Sequence, residues 1–358
     1  MPTERPTRRK LLRWLAVVGG TATVGAVSLL PRKANAYYTG PISDHFDGHQ
    51  FFNPGGRKPK GLVQLARMYA TDTFAPWPSQ PQPIAADRPP QAVPGPTARV
   101  VHIGHASWLI QSAGLNVLID PVWSERASPV SFAGPKRVNA PGIAFDDLPR
   151  IDAVLVTHNH YDHLDVPTLA RLWQRHRPRI VTPLGNDSIM RAEIPGIGAQ
   201  TLDWGQTAEL SPAIRVHAEP TLHWSARGTR DRMHALWASF VIETPAGKIY
   251  AIGDTGFGDG RTFRHVRSRH PKLALALIPI GAYEPRWFMA DQHINPAEAV
   301  AVMEAVDAPR ALGHHWGTFP LTAEPQDQPP KDLARELAAR GHAPERFVPA
   351  YPGSVFGI

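Results

Sequence analysis

The sequence predicts a layered α/β fold, and two observations indicate it. Short strand-like apolar runs recur from residue 99 onward, and segments with helix signals lie between some of them. No break in composition divides residues 99–358, which are therefore predicted to form a single domain. The predicted strands are residues 100–103, 107–111, 117–119, 153–157, 180–182, 214–218, 239–243, 249–252 and 275–280.

Three segments carry the signals of helices. Residues 165–176 open with an aspartate as a candidate N-cap and have a proline in the first turn. Residues 295–306 open with Asn-Pro-Ala-Glu, which supplies a cap, a proline and an acid three residues after the cap. Residues 62–69 resemble a short helix. The first two helices alternate with predicted strands, as a layered α/β arrangement requires.

Composition restricts the chemistry open to the chain. Of 358 residues, 42% are apolar and 19% are charged, which is typical of a folded chain rather than a disordered one. The 38 prolines favour long ordered loops over long helices. No cysteine is present, which excludes disulfides and thiolate ligands. Histidine, aspartate and glutamate are therefore the side chains left to bind a transition metal.

The net charge of +7 is concentrated at the N-terminus. The first 36 residues hold seven lysines and arginines and one acid, Glu4, so about +1 remains for residues 37–358. So small a net charge disfavours binding to the phosphate backbone of a nucleic acid. No nucleic-acid partner is therefore expected.

The N-terminal segment is predicted to direct export. Residues 7–13, TRRKLLR, resemble a twin-arginine motif, and the moderately apolar run 15–30 follows them. Ala34-Asn35-Ala36 is a small-x-small cleavage signature, so residues 1–36 are predicted to be a twin-arginine-type signal peptide of a periplasmic or secreted protein. The alternative is an uncleaved inner-membrane anchor, since the apolar run approaches the length that spans a bilayer. Its dilution by Gly, Thr and Ser favours removal.

Residues 37–98 are predicted to form an N-terminal arm. Residues 75–97 contain eight prolines, and such a segment is extended. It either wraps around the surface of the following domain or links two parts of the molecule. The main domain is predicted to comprise residues 99–358.

A cluster of metal-ligand side chains follows the strand that ends at Thr157. The next eight residues read HNHYDHLD. His158 and His160, two apart in extended chain, can point to the same side, and Asp162 and His163 can turn to a second position nearby. The loop is therefore predicted to begin two adjacent metal sites on a rigid base. A solvated histidine-rich loop is the alternative, and the presence of four ligands at this spacing disfavours it.

Four ligands are too few for two metal ions, so further ligands are expected downstream. His223 follows the strand 214–218, Asp254 follows the strand 249–252, and His315 lies in Gly-His-His-Trp-Gly. Alone, such an aspartate is more often a turn residue and such a histidine more often a satisfied polar group. Their recurrence near strand ends, after a histidine-rich loop, makes them candidate ligands.

These motifs resemble the metallo-β-lactamase superfamily. HxHxDH followed by a histidine, an aspartate and a final histidine is similar to its ligand pattern, and the resemblance implies a four-layer αββα sandwich with a di-metal site at one edge. Over about residues 99–355 the chain further resembles the N-acyl-phosphatidylethanolamine-hydrolysing phospholipase D branch. The segment most specific to that branch is 279–289, PIGAYEPRWFM. Other shared elements are GPKR at 134–137, GDTG at 253–256, Gln292-His293 and HWGTF at 315–319.

The resemblance implies two zinc ions and assigns their ligands. His314 and His315 are adjacent, and neighbouring strand residues point to opposite faces, so one of them is expected to bind. The family's histidine directly precedes Trp-Gly-Thr-Phe, which selects His315. Manganese or iron would suit the same ligand types. One zinc is expected to be held by His158, His160 and His223, the other by Asp162, His163 and His315, with Asp254 bridging both.

Asp162 and Asp254 are the candidate catalytic residues. Two divalent cations activate water and neutralise charge on a phosphate, and Asp162 could additionally orient the nucleophile. His105 and Asp120, which also lie near strand ends, resemble fold elements of the superfamily rather than ligands.

Three further residues are weaker candidates for substrate contacts. Tyr161 lies within the ligand loop and could donate a hydrogen bond to a phosphate, but packing explains it equally well. Gln292 and His293 match an element that lies near the site in the family. Capping of the helix that begins at residue 295 is an equal alternative for both.

The implied function is a di-zinc phosphodiesterase of the phospholipase D type. It would release N-acylethanolamine from N-acyl-phosphatidylethanolamine or a related phospholipid, with a membrane surface as a possible further partner. The alternative is a metal-dependent hydrolase of a lactone, a β-lactam or another small ester, because similarity around a metal site fixes chemistry better than substrate. A non-enzymatic metal-binding envelope protein is disfavoured, since the ligand set leaves room for water. The sequence does not indicate the oligomeric state.

Overall fold

The structure, a computed structural model, describes residues 34–79 and 82–358. Apart from residues 34–36, the predicted signal peptide lies outside the described residues. No helix within the described ranges is long and apolar enough to cross a membrane.

Two seven-stranded sheets form the centre of the molecule. The first has the order β14-β1-β2-β3-β4-β5-β6 and the second the order β13-β12-β11-β10-β9-β8-β7. The first consists of β1 (Ala98–Gly104), β2 (Ser107–Ser112), β3 (Leu115–Ile119), β4 (Ala153–Leu155), β5 (Arg179–Pro183), β6 (Gln200–Leu202) and β14 (Val355–Gly357). The second consists of β7 (Thr207–Ser211), β8 (Ile214–Glu219), β9 (Ser239–Thr244), β10 (Gly247–Ala251), β11 (Leu273–Pro279), β12 (Ala311–His314) and β13 (Phe347–Pro349).

Each sheet has an antiparallel part and a parallel part. In the first sheet β14, β1, β2 and β3 pair antiparallel, whereas β3 to β6 run parallel. In the second sheet β7 to β10 pair antiparallel and β10 to β13 run parallel. Parallel neighbours end at one edge, so the loops that follow β4 and β10 to β12 leave their sheets at their carboxyl ends.

The described helices are seven, with two short 3-10 helices. The capping box predicted at Asn295 is present, with its side chain accepting a hydrogen bond from the Glu298 amide. The α-helices are α1 (Leu62–Thr71), α2 (Val166–His176), α3 (Asn186–Glu193), α4 (Arg261–Arg269), α5 (Arg286–Met289), α6 (Pro296–Ala305) and α7 (Gln328–Ala339), and the 3-10 helices are Phe145–Asp147 and Pro344–Arg346.

The predicted αββα sandwich is confirmed by the way the layers pack. The apolar core between the sheets includes Trp108 and Phe240. On the outer face of the first sheet, Leu172 of α2 and Met190 of α3 belong to a second buried cluster. A third cluster, which includes Phe263 of α4, joins α4, α6 and α7 to the outer face of the second sheet. Helices therefore cover both outer faces, and apolar burial holds the four layers together.

The N-terminal arm wraps around the domain. Its proline-rich part is held along the surface by main-chain hydrogen bonds from the Gln82 amide to the Val138 carbonyl and from the Asp87 amide to the Gly142 carbonyl. Of the two predicted alternatives for this segment, the structure thus has the surface-wrapping one. The helix predicted at 62–69 is present as α1.

Candidate metal centre

The histidine-rich loop is held at the end of β4 by a buried aspartate. Asp120 accepts hydrogen bonds from the Thr157 amide at 2.7 Å, from the Thr157 hydroxyl at 2.6 Å and from Nδ1 of His163 at 2.7 Å. All three residues are buried. A carboxylate that accepts from Nδ1 leaves Nε2 of His163 as the nitrogen that faces the site, as is common for metal-binding histidines.

The first group of ligand atoms consists of three imidazoles and one carboxylate. Nε2 of His158 lies 2.9 Å from Nδ1 of His160, and Nε2 of His223 lies 3.2 Å from the same atom. Asp254 Oδ2 lies 3.6 Å from His223 Nε2 and 3.7 Å from His158 Nε2. The loops after β4, β8 and β10 thus bring together four atoms that could hold one cation.

The second group shares Asp254 with the first. Its Oδ1 lies 3.0 Å from His315 Nε2, and its Oδ2 lies 3.3 Å from His163 Nε2. Asp162 Oδ2 is 3.4 Å from His315 Nε2 and 3.7 Å from His163 Nε2. One carboxylate thus faces both groups, which is the arrangement expected of a bridging ligand.

The residues of this site fit a pair of divalent cations. Nε2 of His163, Nε2 of His315 and Oδ1 of Asp254 are buried and make no hydrogen bond of good geometry in the described chain, although Nε2 of His315 lies 3.0 Å from Oδ1 of Asp254. Buried polar atoms without a partner are rare in folded proteins, because each costs free energy comparable to a lost hydrogen bond. Imidazole nitrogens and carboxylate oxygens without thiolates are the donor set of zinc and other divalent first-row metals.

The histidines of the first group are neutral at physiological pH. Burial lowers the pKa of His223 to about 3 and that of His160 to about 4. The pKa of His158 lies well below its usual range because of burial and the neighbouring His163. A neutral imidazole offers a lone pair, which is the form that binds a metal.

The second group is a buried, charge-compensated cluster. Burial opposes protonation of His315, but the carboxylates of Asp254 and Asp162 outweigh it and raise its pKa to about 9. Burial likewise opposes protonation of His163, and Asp254, Asp162 and Asp120 raise its pKa well above the usual range. Burial raises the pKa of Asp162 and Asp254, yet the neighbouring imidazoles hold both well below the usual range.

The structure brings together all seven candidate ligands, in the two groups that the family resemblance implies. That they bind metal stays a prediction. The ring of His314 points elsewhere, since it packs against Trp108 with ring centroids 5.9 Å apart. His315 adopts a left-handed backbone with φ of 64°, so the chain turns between the two histidines and only His315 joins the site.

The three weaker candidates for substrate contacts differ in where the structure places them. His293 lies in the site: its Nε2 is 3.9 Å from Asp254 Oδ2, and its ring centroid is 5.2 Å from that of His223. Gln292 contributes its carbonyl, which accepts a hydrogen bond from His223 Nδ1 at 3.0 Å. The Tyr161 hydroxyl instead donates to the Arg227 carbonyl at 2.8 Å, so the structure shows it in a loop contact.

His105 is a residue of the site whose position the sequence did not reveal. Its Nε2 lies 2.9 Å from Asp162 Oδ2, and its ring centroid is 4.0 Å from that of His315. Burial lowers its pKa to about 3, so a neutral ring donates to the carboxylate. The available signal was its place directly after β1, which matches the positions of the downstream candidates.

Comparisons with known proteins point to one family. The family model described as "Beta-lactamase superfamily domain" matches residues 115–316. "N-acyl-phosphatidylethanolamine-hydrolyzing phospholipase D 1" of Caenorhabditis elegans is 40% identical over 246 residues, which are 66% of this chain and 68% of that protein. The mitochondrial N-acyl-phosphatidylethanolamine-hydrolyzing phospholipase D of Saccharomyces cerevisiae is 33% identical over 254 residues, 67% of this chain and 53% of that protein.

Solved structures also share the fold. An isothiocyanate hydrolase from Delia radicum gut bacteria superposes with a TM-score of 0.58 at 18% identity, covering 72% of this chain and 98% of that one. At such low identity the superposition establishes the fold and leaves the substrate open.

Proposed function

The chain belongs to the metallo-β-lactamase superfamily, in its N-acyl-phosphatidylethanolamine-hydrolysing phospholipase D-like branch, and is a metal-dependent hydrolase; from that premise we propose that it is a di-zinc phosphodiesterase that cleaves a phospholipid. The products would be N-acylethanolamine and a phosphatidic acid if the substrate is N-acyl-phosphatidylethanolamine. The observation that carries the proposal is the carboxylate of Asp254 shared between two groups of buried ligand atoms.

The two groups would each hold one cation. His158, His160 and His223 form one set, and Asp254 faces both sets. When bound, the cations supply Lewis acidity, which activates water and neutralises charge on the phosphodiester oxygens. The second set consists of Asp162, His163 and His315.

The remaining chemistry belongs to the side chains that surround these two sets. Asp162 stays ionised, so its carboxylate accepts a hydrogen bond from the attacking water and orients it. His105 donates to Asp162 and holds that carboxylate in position. The Gln292 carbonyl fixes His223 with Nε2 directed at the site.

His293 is the residue best placed to touch the substrate. Burial lowers its pKa to about 3, so the ring is neutral. Its Nδ1 is buried without a hydrogen-bond partner in the described chain. A neutral imidazole beside Asp254 can donate one hydrogen bond to a phosphate oxygen, which favours substrate binding without adding charge.

The test measures metal content and hydrolysis on the same preparation. N-acyl-phosphatidylethanolamine in mixed micelles is compared with a generic phosphodiester, a lactone and a β-lactam. Release of N-acylethanolamine with two zinc ions bound, lost in Asp254→Asn and retained in the matched surface variant Asp259→Asn, supports the proposal. Hydrolysis of the lactone or β-lactam without lipid cleavage would support the metal site but refute a phospholipid as the substrate.

Export through the twin-arginine route belongs to the same proposal. The RRK triplet at residues 8–10, the apolar run and Ala34-Asn35-Ala36 support it. Cell fractionation with N-terminal sequencing tests it, since cleavage is expected between Ala36 and Tyr37. Replacing both Arg8 and Arg9 with lysine is expected to keep the protein in the cytoplasm, and retention of an intact N-terminus in the membrane would favour the anchor.

A further inference from the structure

A second cluster of ligand-type side chains lies on the second sheet, at the end of α4. His217 belongs to β8, Glu243 belongs to the neighbouring β9, and His270 directly follows the helix. One ligand atom from each of the three residues lies within 4.8 Å of the other two. None of the three is a candidate ligand of the metal centre, so the cluster needs an explanation of its own.

The strand register places two of these side chains on the outer face of the sheet. Val241 of β9 belongs to the buried cluster beneath α4, and His217 is its direct partner on β8. Glu243 lies two residues after Val241 and therefore points to the same face. His270 reaches this face from the end of α4, and its ring centroid lies 4.7 Å from that of His217.

Each imidazole has one nitrogen with a close partner and a second nitrogen that remains available. Nδ1 of His217 lies 3.0 Å from the Thr207 hydroxyl. Its Nε2 is buried and makes no hydrogen bond of good geometry in the described chain, although Oε2 of Glu243 lies 3.3 Å from it. Nε2 of His270 lies 2.7 Å from Oε1 of the fully buried Glu219. A carboxylate that accepts from one ring nitrogen leaves the other with the lone pair that binds a metal.

The carboxylate of Glu243 makes no short ion pair with a lysine or arginine. Its Oε2 lies 3.5 Å from Nη1 of Arg215, and its Oε1 lies 3.5 Å from Nζ of Lys248. Charge-assisted hydrogen bonds are usually about 2.7–2.9 Å long, so both contacts are weak. A cation can therefore bind this carboxylate without breaking a close contact.

We propose that His217, His270 and Glu243 bind a zinc ion that is separate from the metal centre. Two imidazoles and one carboxylate are an established set of three protein ligands for zinc, and water takes the fourth position. The ion would also satisfy Nε2 of His217, a buried atom of the kind that is rarely left without a partner. It would join β8, β9 and the end of α4, and so fix the helix on the sheet.

Counting bound zinc tests the proposal. The chain is stripped of metal, equilibrated with micromolar zinc, freed of excess ion and analysed by mass spectrometry of the elements. The wild-type protein should hold one zinc ion more than His217→Gln or Glu243→Gln. His342→Gln is the matched control and should hold as much as the wild type, because His342 pairs with Glu304 at 2.7 Å but belongs to no three-ligand group in the described ranges. The two ions expected at the metal centre are then counted in His217→Gln.

Thermal unfolding gives a second readout. In the presence of zinc, His217→Gln should melt at a lower temperature than the wild type, because an ion that binds only the folded state stabilises it. The difference should shrink when both proteins are free of metal. A difference of the same size with and without zinc would show a purely structural role and overturn the proposal. Circular dichroism checks that each variant folds.

The remaining outcomes separate this site from the proposed function. Equal zinc content in the wild type and both variants overturns the proposal, as does binding that requires millimolar zinc. Anomalous diffraction at the zinc edge needs no variant: wild-type crystals in micromolar zinc should show a peak among the three side chains, and its absence would refute the site. Hydrolysis should be unchanged in both variants. A protein that loses one zinc ion in His217→Gln but cleaves no lipid would retain this site and refute the phospholipase proposal.

Discussion

Asp120 shows at the scale of single residues how the site is prepared for metal. Asp120 is not a candidate ligand. Its carboxylate accepts hydrogen bonds from Nδ1 of His163, the ring nitrogen that faces away from the site, and from the amide and hydroxyl of Thr157. The hydrogen bond fixes the tautomer of His163, and the bonds to Thr157 fix the start of the ligand loop. Loss of a partner of this kind typically lowers metal affinity about 10- to 100-fold.

Asp120→Asn should therefore weaken metal binding. An amide cannot accept from all three donors and presents its own N–H₂ to one of them, so the tautomer of His163 is no longer fixed. We expect metal affinity to fall about 10- to 100-fold, measured by competition with a chelator of known affinity. Asp152→Asn, at the opposite end of β4, is the matched control. Equal affinities in the two variants would refute the role of Asp120.

Metal binding should release protons and strengthen as pH rises. Without metal, His315 holds a proton up to its pKa of about 9, and the pKa of His163 is raised as well. Because a metal must displace both protons, its apparent affinity is expected to rise with pH until about 9 and to fall in acid. Calorimetric titration with zinc in buffers of different ionisation enthalpy measures the protons released. Release of none would show that these histidines are not ligands.

The ligand set could be predicted because four of its side chains occupy one octapeptide and the others each lie near a strand end. His105 could not be placed with them, since a lone histidine after a glycine has no spacing relation to another ligand. Its role depends on the pairing of β1 with β2 and on the approach of His315, and both are tertiary facts.

At the scale of elements, the N-terminus of α6 connects the fold to the site. Asn295 caps the helix by accepting from the Glu298 amide at 2.8 Å. Arg286 of α5 pairs with Glu298 and also donates to the His293 carbonyl, both at 2.8 Å. The cap therefore stabilises the helix and, through Arg286, the loop that carries His293.

Asn295→Ala is expected to destabilise the protein by about 1 kcal/mol, as loss of an N-cap side chain commonly does. Urea unfolding of the metal-saturated protein measures the change. Asp327→Ala at the start of α7 is the comparison, because Asp327 occupies a cap position without a capping hydrogen bond. A loss at Asp327 as large as that at Asn295 would contradict the capping explanation.

The elements predicted from sequence are those with apolar runs or with the residue types of a helix start, although Asp165 before α2 makes no capping hydrogen bond. All nine predicted strands are present, although β4 is shorter than expected and ends at Leu155. The strands β6 and β12 to β14 have only three or four residues, too few to establish a period. Helix α4 was missed because its sequence RTFRHVRSR is mostly polar and buries only Thr262, Phe263 and Val266.

Which face of α1 is exposed could not be predicted from the sequence either. The apolar positions predicted a helix there, but they do not tell which face the domain covers. Met68 is buried and Leu62 is not only because of where α5 lies.

At the scale of the whole molecule, the four-layer arrangement followed from a family resemblance. Apolar runs indicate strands, but they do not give the order in which strands pair. The two sheets divide their strands at residues 203–206, with β14 returning to the edge of the first. No local pattern encodes that return.

Removal of metal should lower the melting temperature of the whole molecule. Ions that bind only the folded state stabilise it by mass action, about 4 kcal/mol at a thousandfold excess over Kd. With an unfolding entropy of about 2.1 cal/mol/K per residue, a chain of this size shifts by roughly 1–2 °C for each kcal/mol. Calorimetry before and after chelation, followed by zinc restoration, measures the shift. An unchanged melting temperature would be inconsistent with ligands shared between both sheets.

The division of the ligands between the two sheets has a consequence for chain connectivity. Residues 34–202 carry His158, His160, Asp162 and His163, whereas residues 207–358 carry His223, Asp254 and His315. Neither half has a complete set, and the second half also supplies the edge strand β14 to the first. If the chain were cut within residues 203–206, the two fragments would need each other to finish both a sheet and a metal pair. Reassembly of such a split protein would then depend on zinc, which would make the ion a chemical signal for joining the halves.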